Sequence, residues 1–135
     1  VPRTNPVEKT PSYARYRRGD DLVQDDIPDD QAIVVALKDQ GLVILTGCAH
    51  SGIINTIEYA RSITGVRKVY AVMGGFHLEG VEHDVLKWTV EAVADVSPAL
   101  VAPAHCTGFG AACAFAGRMP DAFVLPSSGT SFHLP

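Results

Sequence analysis

The chain has 135 residues, a net charge of −4 and an apolar fraction of 47%. That length suggests one domain with a modest core, and the pI of about 5.6 argues against a nucleic-acid surface. No apolar run reaches the roughly 18 residues of a membrane span, the N-terminal VPRTNPVEKT lacks the apolar segment of a signal peptide, and three cysteines without a disulfide framework point to a reducing cytoplasm.

Residues 1 to about 30 read as an extended N-terminal arm, and residues 31–135 as the folded domain. The arm holds four of the nine prolines, a basic patch YARYRR and the acidic stretch GDDLVQDDIPDD. Such charge blocks favour a solvated segment, or a connection that wraps over a neighbour. From Gln31 the pattern becomes regular. QAIVVALK and GLVILTG are short β-branched runs flanking a hairpin-like turn at DQ. SGIINTIEYARSITG has helical spacing at Ile53, Ile57 and Ala60, with Ser51 as its N-cap and Gly65 as its stop. RKVYAVMGG is a strand. EHDVLKWTVEAVADV is a helix with Leu86, Val90 and Val93 on one face. PALVAPAH is a strand, GFGAACAFAGRM a short helix that places Cys113 in the core, and DAFVLPSSG a final strand.

The order β-β-α-β-α-β-α-β defines an α/β chain. Several of its strands are apolar almost throughout, as in sheets buried on both faces. Three helices cover one face. No other segment looks apolar enough for the second, so the sheet is expected to need a partner: a missing half or another copy of the chain.

Three of the five histidines share a context. His50 follows GLVILTGCA, His77 follows KVYAVMGGF, and His105 follows PALVAPA. Each lies just past a strand, one strand–helix unit from the next. Ligands of open α/β sheets bind outside the carboxyl ends of the strands, and imidazole suits zinc, iron and other borderline metals. One such histidine is usually a hydrogen-bonded structural residue; three in the same position favour a metal site. His83, at a helix start, and His133, in the tail, carry no such signal. Cys48 and Cys106 flank the histidines, as soft ligands or as small buried residues. Thr107 and Gly108 open a helix, where backbone N–H groups hold a phosphate or carboxylate, or serve only a cap. Asp30 precedes the first regular strand, as a turn residue or as a carboxylate orienting a ligand from behind.

The stretches TGCAHSGIINT, GGFHL and PAHCTG together resemble the second half of the metallo-β-lactamase superfamily, nearest its metal-dependent hydrolases and dihydropterin-ribofuranosyl-aminobenzene-phosphate synthases. The resemblance runs from about Pro2 to Ser131. It implies half of an αββα sandwich, a mixed sheet with helices on one face. It implies that His50 and His105 are metal ligands and that His77 stands where many relatives carry a bridging aspartate. Cys48, Cys106 and Asp30 would then support those ligands from behind, and Thr107 and Gly108 would hold a small anionic substrate. The cofactor would be zinc or another divalent metal, with iron and manganese as alternatives. The superfamily's H-x-H-x-D-H motif does not occur in this sequence. The expected function is therefore a hydrolase-type metal domain completed by a partner half. The other expectation is a non-catalytic, oligomeric binding or assembly module. The expected partners are a second copy or a separate N-terminal half-domain, without nucleic acid or membrane.

Overall fold

The computed structural model describes residues 1–135. Strands β1 (Arg15–Arg18) and β2 (Asp21–Gln24) form an antiparallel hairpin, separate from the main sheet. The main sheet has four strands: β3 (Ala32–Leu37), β4 (Gly41–Thr46), β5 (Val69–Gly75) and β6 (Leu100–Ala104), side by side in that order. β3 and β4 are antiparallel, while β4, β5 and β6 run parallel, so the sheet is mixed. Helices α1 (Ile53–Thr64) and α2 (His83–Val96) make the crossovers between the parallel strands, and α3 (Phe109–Arg118) follows β6.

All three helices pack on one face. The core there joins Leu42 and Ile44 of β4, Val69 and Val72 of β5 and Val101 of β6 to Ile53, Ile57, Val90, Val93 and Phe115. Period-2 alternation divides the strands between faces. Leu42 and Ile44 face the helices, whereas Val43 joins Ala71, Met73 and Ala102 on the opposite face. Val69 at the start of β5 also belongs to the helix-side core.

The second face is less open than the sequence implies. Phe132 and Leu134 of the tail pack against Val43, Ala71, Met73 and Ala102, all of which are buried. The alternate spacing of these two tail residues points both at the sheet, as in a strand, without forming one. The cover stops short of the β3 edge. Ile33 is 63% exposed and Val35 44% exposed, with Leu45 of β4 beside them.

Three local expectations need correction. DAFVLPSSG forms no strand: only Phe123 bridges to Val101, and the ladder ends before Pro126, which has no N–H to extend it. Cys113 is exposed, because α3 turns Ala111, Ala112 and Phe115 inward and Cys113 outward. Ser51 does not cap α1. Gly52 occupies the cap position and makes no side-chain bond, while the Ser51 hydroxyl donates to the Val1 carbonyl. Gly65 does end α1 in the left-handed conformation, its N–H returning to the Arg61 carbonyl.

Candidate metal centre at the strand ends

Because β4, β5 and β6 are parallel neighbours, their carboxyl ends share one edge. His50, His77 and His105 follow those three ends. The rings of His50 and His77 meet edge to face with centroids 4.7 Å apart. Cys48 Sγ lies 3.4 Å from His77 Nδ1. Cys48, His50 and His77 each place a donor atom within 4.8 Å of the others. Cys48, Cys106 and His105 do the same, so Cys48 belongs to both groups. His105 thus joins the other two histidines through Cys48, and its Nε2 lies 2.7 Å from the Gly47 carbonyl.

The loops reach this arrangement through backbone that non-glycine residues seldom adopt. Ala49 has φ 52°, His77 φ 50° and His105 φ 27°. Each costs on the order of 1–3 kcal/mol, and such positions gather at functional sites. Gly75 makes the crossing possible. A Cβ there would come within 2.5 Å of His105 Nε2, 2.6 Å of the Gly47 carbonyl and 2.7 Å of Cys106 Sγ.

Electrostatics favour neutral donors. Burial lowers the His77 pKa, and the neighbouring His50 lowers it further, so the ring stays neutral with a lone pair to offer. Burial pushes the Cys48 thiol up to about 12, helped by its hydrogen bond to Cys106 and the charges of Cys106 and Asp30. Without a cation Cys48 is therefore a protonated thiol, not a thiolate. Asp30 is buried and accepts the Ser51 N–H at 2.9 Å, which holds the residue after His50.

Thr107 is differently placed from its expected anion-binding role. Its buried hydroxyl donates to the Ala104 carbonyl at 2.7 Å and accepts the Phe76 N–H at 3.1 Å, so the side chain is committed to the fold. Gly108 is covered by the Glu79 side chain, which a Cβ on that glycine would overlap. An anion at the start of α3 would have to displace a carboxylate. His83 and His133 are exposed and lie outside the donor groups.

The arm supplies what the sequence did not disclose. Arg3 donates to the His50 carbonyl at 2.9 Å. Glu8 caps α1: its carboxylate accepts the N–H groups of Ile54 at 2.8 Å and Asn55 at 2.7 Å. Asn55 in turn accepts the backbone N–H groups of Thr4 and Asn5 through Oδ1. The arm thereby forms one wall of a cavity of about 340 Å³ beside His50 and His77, with Lys9 and Tyr13 on its lining. The Tyr13 hydroxyl lies 3.5 Å from His77 Nε2. Spacing alone gave no sign of Glu8, since it lies 46 residues from the helix it caps.

Burial raises the Glu8 pKa above its ordinary 4.5, against the lowering effect of the N–H groups it accepts. The folded chain then holds this proton more tightly than the unfolded chain. Its contribution to stability should fall as pH rises from near 4.5 through the raised value. Thermal unfolding of wild type and Glu8→Gln between pH 4 and 7 checks this: the difference should move against wild type with rising pH. Movement in the opposite direction would mean that the helix N–H groups outweigh burial.

No family model matches the chain. It is similar to the 7,8-dihydropterin-6-methyl-4-(β-D-ribofuranosyl)-aminobenzene-5′-phosphate synthase of Methanocaldococcus jannaschii, 32% identical over 116 residues, covering 86% of this chain and 40% of that protein. It is also similar to the uncharacterized protein MJ0448 of the same organism, 38% identical over 89 residues, covering 66% of this chain and 31% of that one. Among solved structures it superposes on Tm1679, a metal-dependent hydrolase of the β-lactamase superfamily, with a TM-score of 0.80 and 29% identity. That match covers 89% of this chain and 46% of Tm1679. The chain spans less than half the length of the proteins it matches. With its mixed sheet, one-sided helices and histidines at three parallel strand ends, it has the fold of about half of a metal-dependent hydrolase of the β-lactamase superfamily.

Proposed function

We propose that this chain provides one side of a metal-dependent hydrolase site, with His50, His77 and His105 as ligands and the remaining ligands supplied by a first half carrying H-x-H-x-D-H. The observation that carries this reading is the edge-to-face meeting of His50 and His77, with Cys48 Sγ beside them. The donors fit a divalent ion in two groups that share Cys48, one of Cys48, His50 and His77 and the other of Cys48, His105 and Cys106. Each has donors within 4.8 Å of one another, which can close on an ion with bonds of about 2.0–2.3 Å. Zinc suits this mixture of imidazole and sulfur, and iron or manganese are the alternatives. A divalent metal held there would bring the pKa of its water towards neutrality and polarise a substrate oxygen. Asp30 and Arg3 fix the loop bearing His50, and Tyr13 approaches His77 from the arm.

The cavity of about 340 Å³ is of a size for a small molecule. Lys9 is the one Lys or Arg on its wall, beside the carboxylates of Glu8, Glu79 and Glu82, and it is the group we assign to an anionic substrate, by likeness to the phosphate-bearing product named for the Methanocaldococcus relative. Three free cysteines fit a reducing, cytoplasmic setting, and no helix is long and apolar enough to cross a membrane.

A second reading, an oligomeric assembly module without turnover, is favoured by one observation: the apolar strip of Ile33, Val35 and Leu45 at the sheet edge. A homodimer or a separate first half would cover it.

Calorimetric titration with Zn²⁺ tests the first reading. His50→Ala and His77→Ala are each expected to weaken binding by at least about tenfold, since loss even of a supporting partner costs that much. Phosphoester hydrolysis is expected only after a first half bearing H-x-H-x-D-H is added. Unchanged zinc affinity in both variants would remove the metal reading. Zinc binding without turnover in the completed protein would favour the assembly module.

A further inference from the structure

The two cysteines at the strand ends also form a pair with each other. Cys48 Sγ lies 2.9 Å from Cys106 Sγ, and Cys48 donates its thiol hydrogen to it. That separation is less than about 1 Å beyond a covalent S–S bond of roughly 2.05 Å. The contact is long-range in sequence and joins the loop after β4 to the loop after β6, across the end of β5. Further contacts hold Cys106 in place. Its Sγ accepts the His77 N–H at 3.2 Å, and its own thiol points to the Cys48 carbonyl at 3.5 Å. Gly75 leaves the space beneath it, since a Cβ there would lie 2.7 Å from this sulfur. Neither cysteine is fully buried, so a small oxidant has access.

We propose that Cys48 and Cys106 are a modification site: a vicinal dithiol that closes to an intramolecular disulfide on reaction with a low-molecular-weight disulfide such as oxidised glutathione. Cys106, as its thiolate, attacks a sulfur of the small disulfide, forming a mixed disulfide and releasing one glutathione, which takes up the proton. The second protein thiol then attacks the protein sulfur of that mixed disulfide and releases the other glutathione. Two protein thiols are oxidised, one small disulfide is reduced to two thiols, and the two protons leave with them. The bridge would tie the loop bearing His50 to the one bearing His105. The proposal stands on the sulfur geometry and does not rest on metal binding.

Cys113 provides the comparison within the same chain, being exposed on α3 and outside the pair. The 135-residue chain is titrated with oxidised glutathione and read by intact mass and peptide mapping. The second step is intramolecular, so the bridge should form at an oxidant concentration about tenfold below that giving half-maximal adduct on Cys113. The expected product has lost about 2 Da, for two thiol hydrogens. It should yield a peptide linking Cys48 to Cys106, in wild type and in Cys113→Ser alike. Cys106→Ser should carry a glutathione adduct or a free thiol at Cys48, without a bridge. Stable glutathione adducts on Cys48 and Cys106 in wild type would overturn the proposal. Both thiols remaining free once Cys113 is fully modified would overturn it equally, as would a bridge that persists in Cys106→Ser.

Discussion

Gly75→Ala is expected to destabilise the chain by at least about 1–3 kcal/mol, the cost of adding a methyl group to a packed site, and to abolish the strand-end donor groups as now arranged. The added carbon would meet three groups at once: the Gly47 carbonyl, the His105 ring and Cys106 Sγ. Two of these are polar atoms of neighbouring loops, and the third is a sulfur that Cys48 and His77 also contact. None is the free end of a flexible chain, so relief requires the loops after β4 and β6 to separate from β5. Denaturant unfolding reads the stability loss. Zinc titration of the surviving folded fraction should show affinity reduced by about tenfold or more, as for lost supporting contacts. A Gly75→Ala chain with wild-type stability and affinity would show that the three loops have slack, contrary to the spacings described.

Phe76→Ala should carry a larger stability cost, about 3–5 kcal/mol, as is usual for a buried phenylalanine. Phe76 is fully enclosed between β5 and the helices, and its ring meets Phe115 edge to face at 5.6 Å. It also directly precedes His77, whose backbone is left-handed. Packing of the Phe76 ring therefore anchors the residue before His77, alongside the bonds from the Phe76 N–H to Thr107 and from the His77 N–H to Cys106. Chemical denaturation should show a lowered midpoint with an unchanged m-value. Phe115→Leu, at the other end of the contact, should cost less and leave His77 in place. If Phe76→Ala and Phe115→Leu proved equal in both stability and metal affinity, the ring would be packing alone and would have no part in holding the site.

The main sheet and its helices were legible in the sequence because each is an apolar run with a single period. β4 and β5 are short, β-branched and bounded by glycine, and α1 repeats isoleucine and alanine at helical spacing. The histidines were legible for the same reason, since strand ends could be located. What was hidden depends on contacts remote in sequence. Ser51 has the chemistry of a cap, but Glu8 arrives from the arm and takes the N–H groups of α1. The hairpin of β1 and β2 lacks an apolar face, and its strands are mostly exposed, so no periodicity announced it. Thr107 sits at a helix start in the right position to bind an anion, yet its hydroxyl is used between Ala104 and Phe76. Phe132 and Leu134 are two apolar residues in a short tail, too few to reveal a cover for the second face.

The left-handed backbone at Ala49, His77 and His105 also bears on how these loops can vary through evolution. Glycine, asparagine and aspartate tolerate that region, whereas β-branched residues do so at high cost. Selection at these positions therefore acts on backbone shape before it acts on side-chain chemistry. A histidine retained at position 77 among homologues would be a weaker sign of ligation than one at position 50, whose backbone carries no such constraint. Homologues with asparagine or glycine at position 77 would keep the loop and lose the imidazole, and comparing their metal content with this chain's would separate the two pressures.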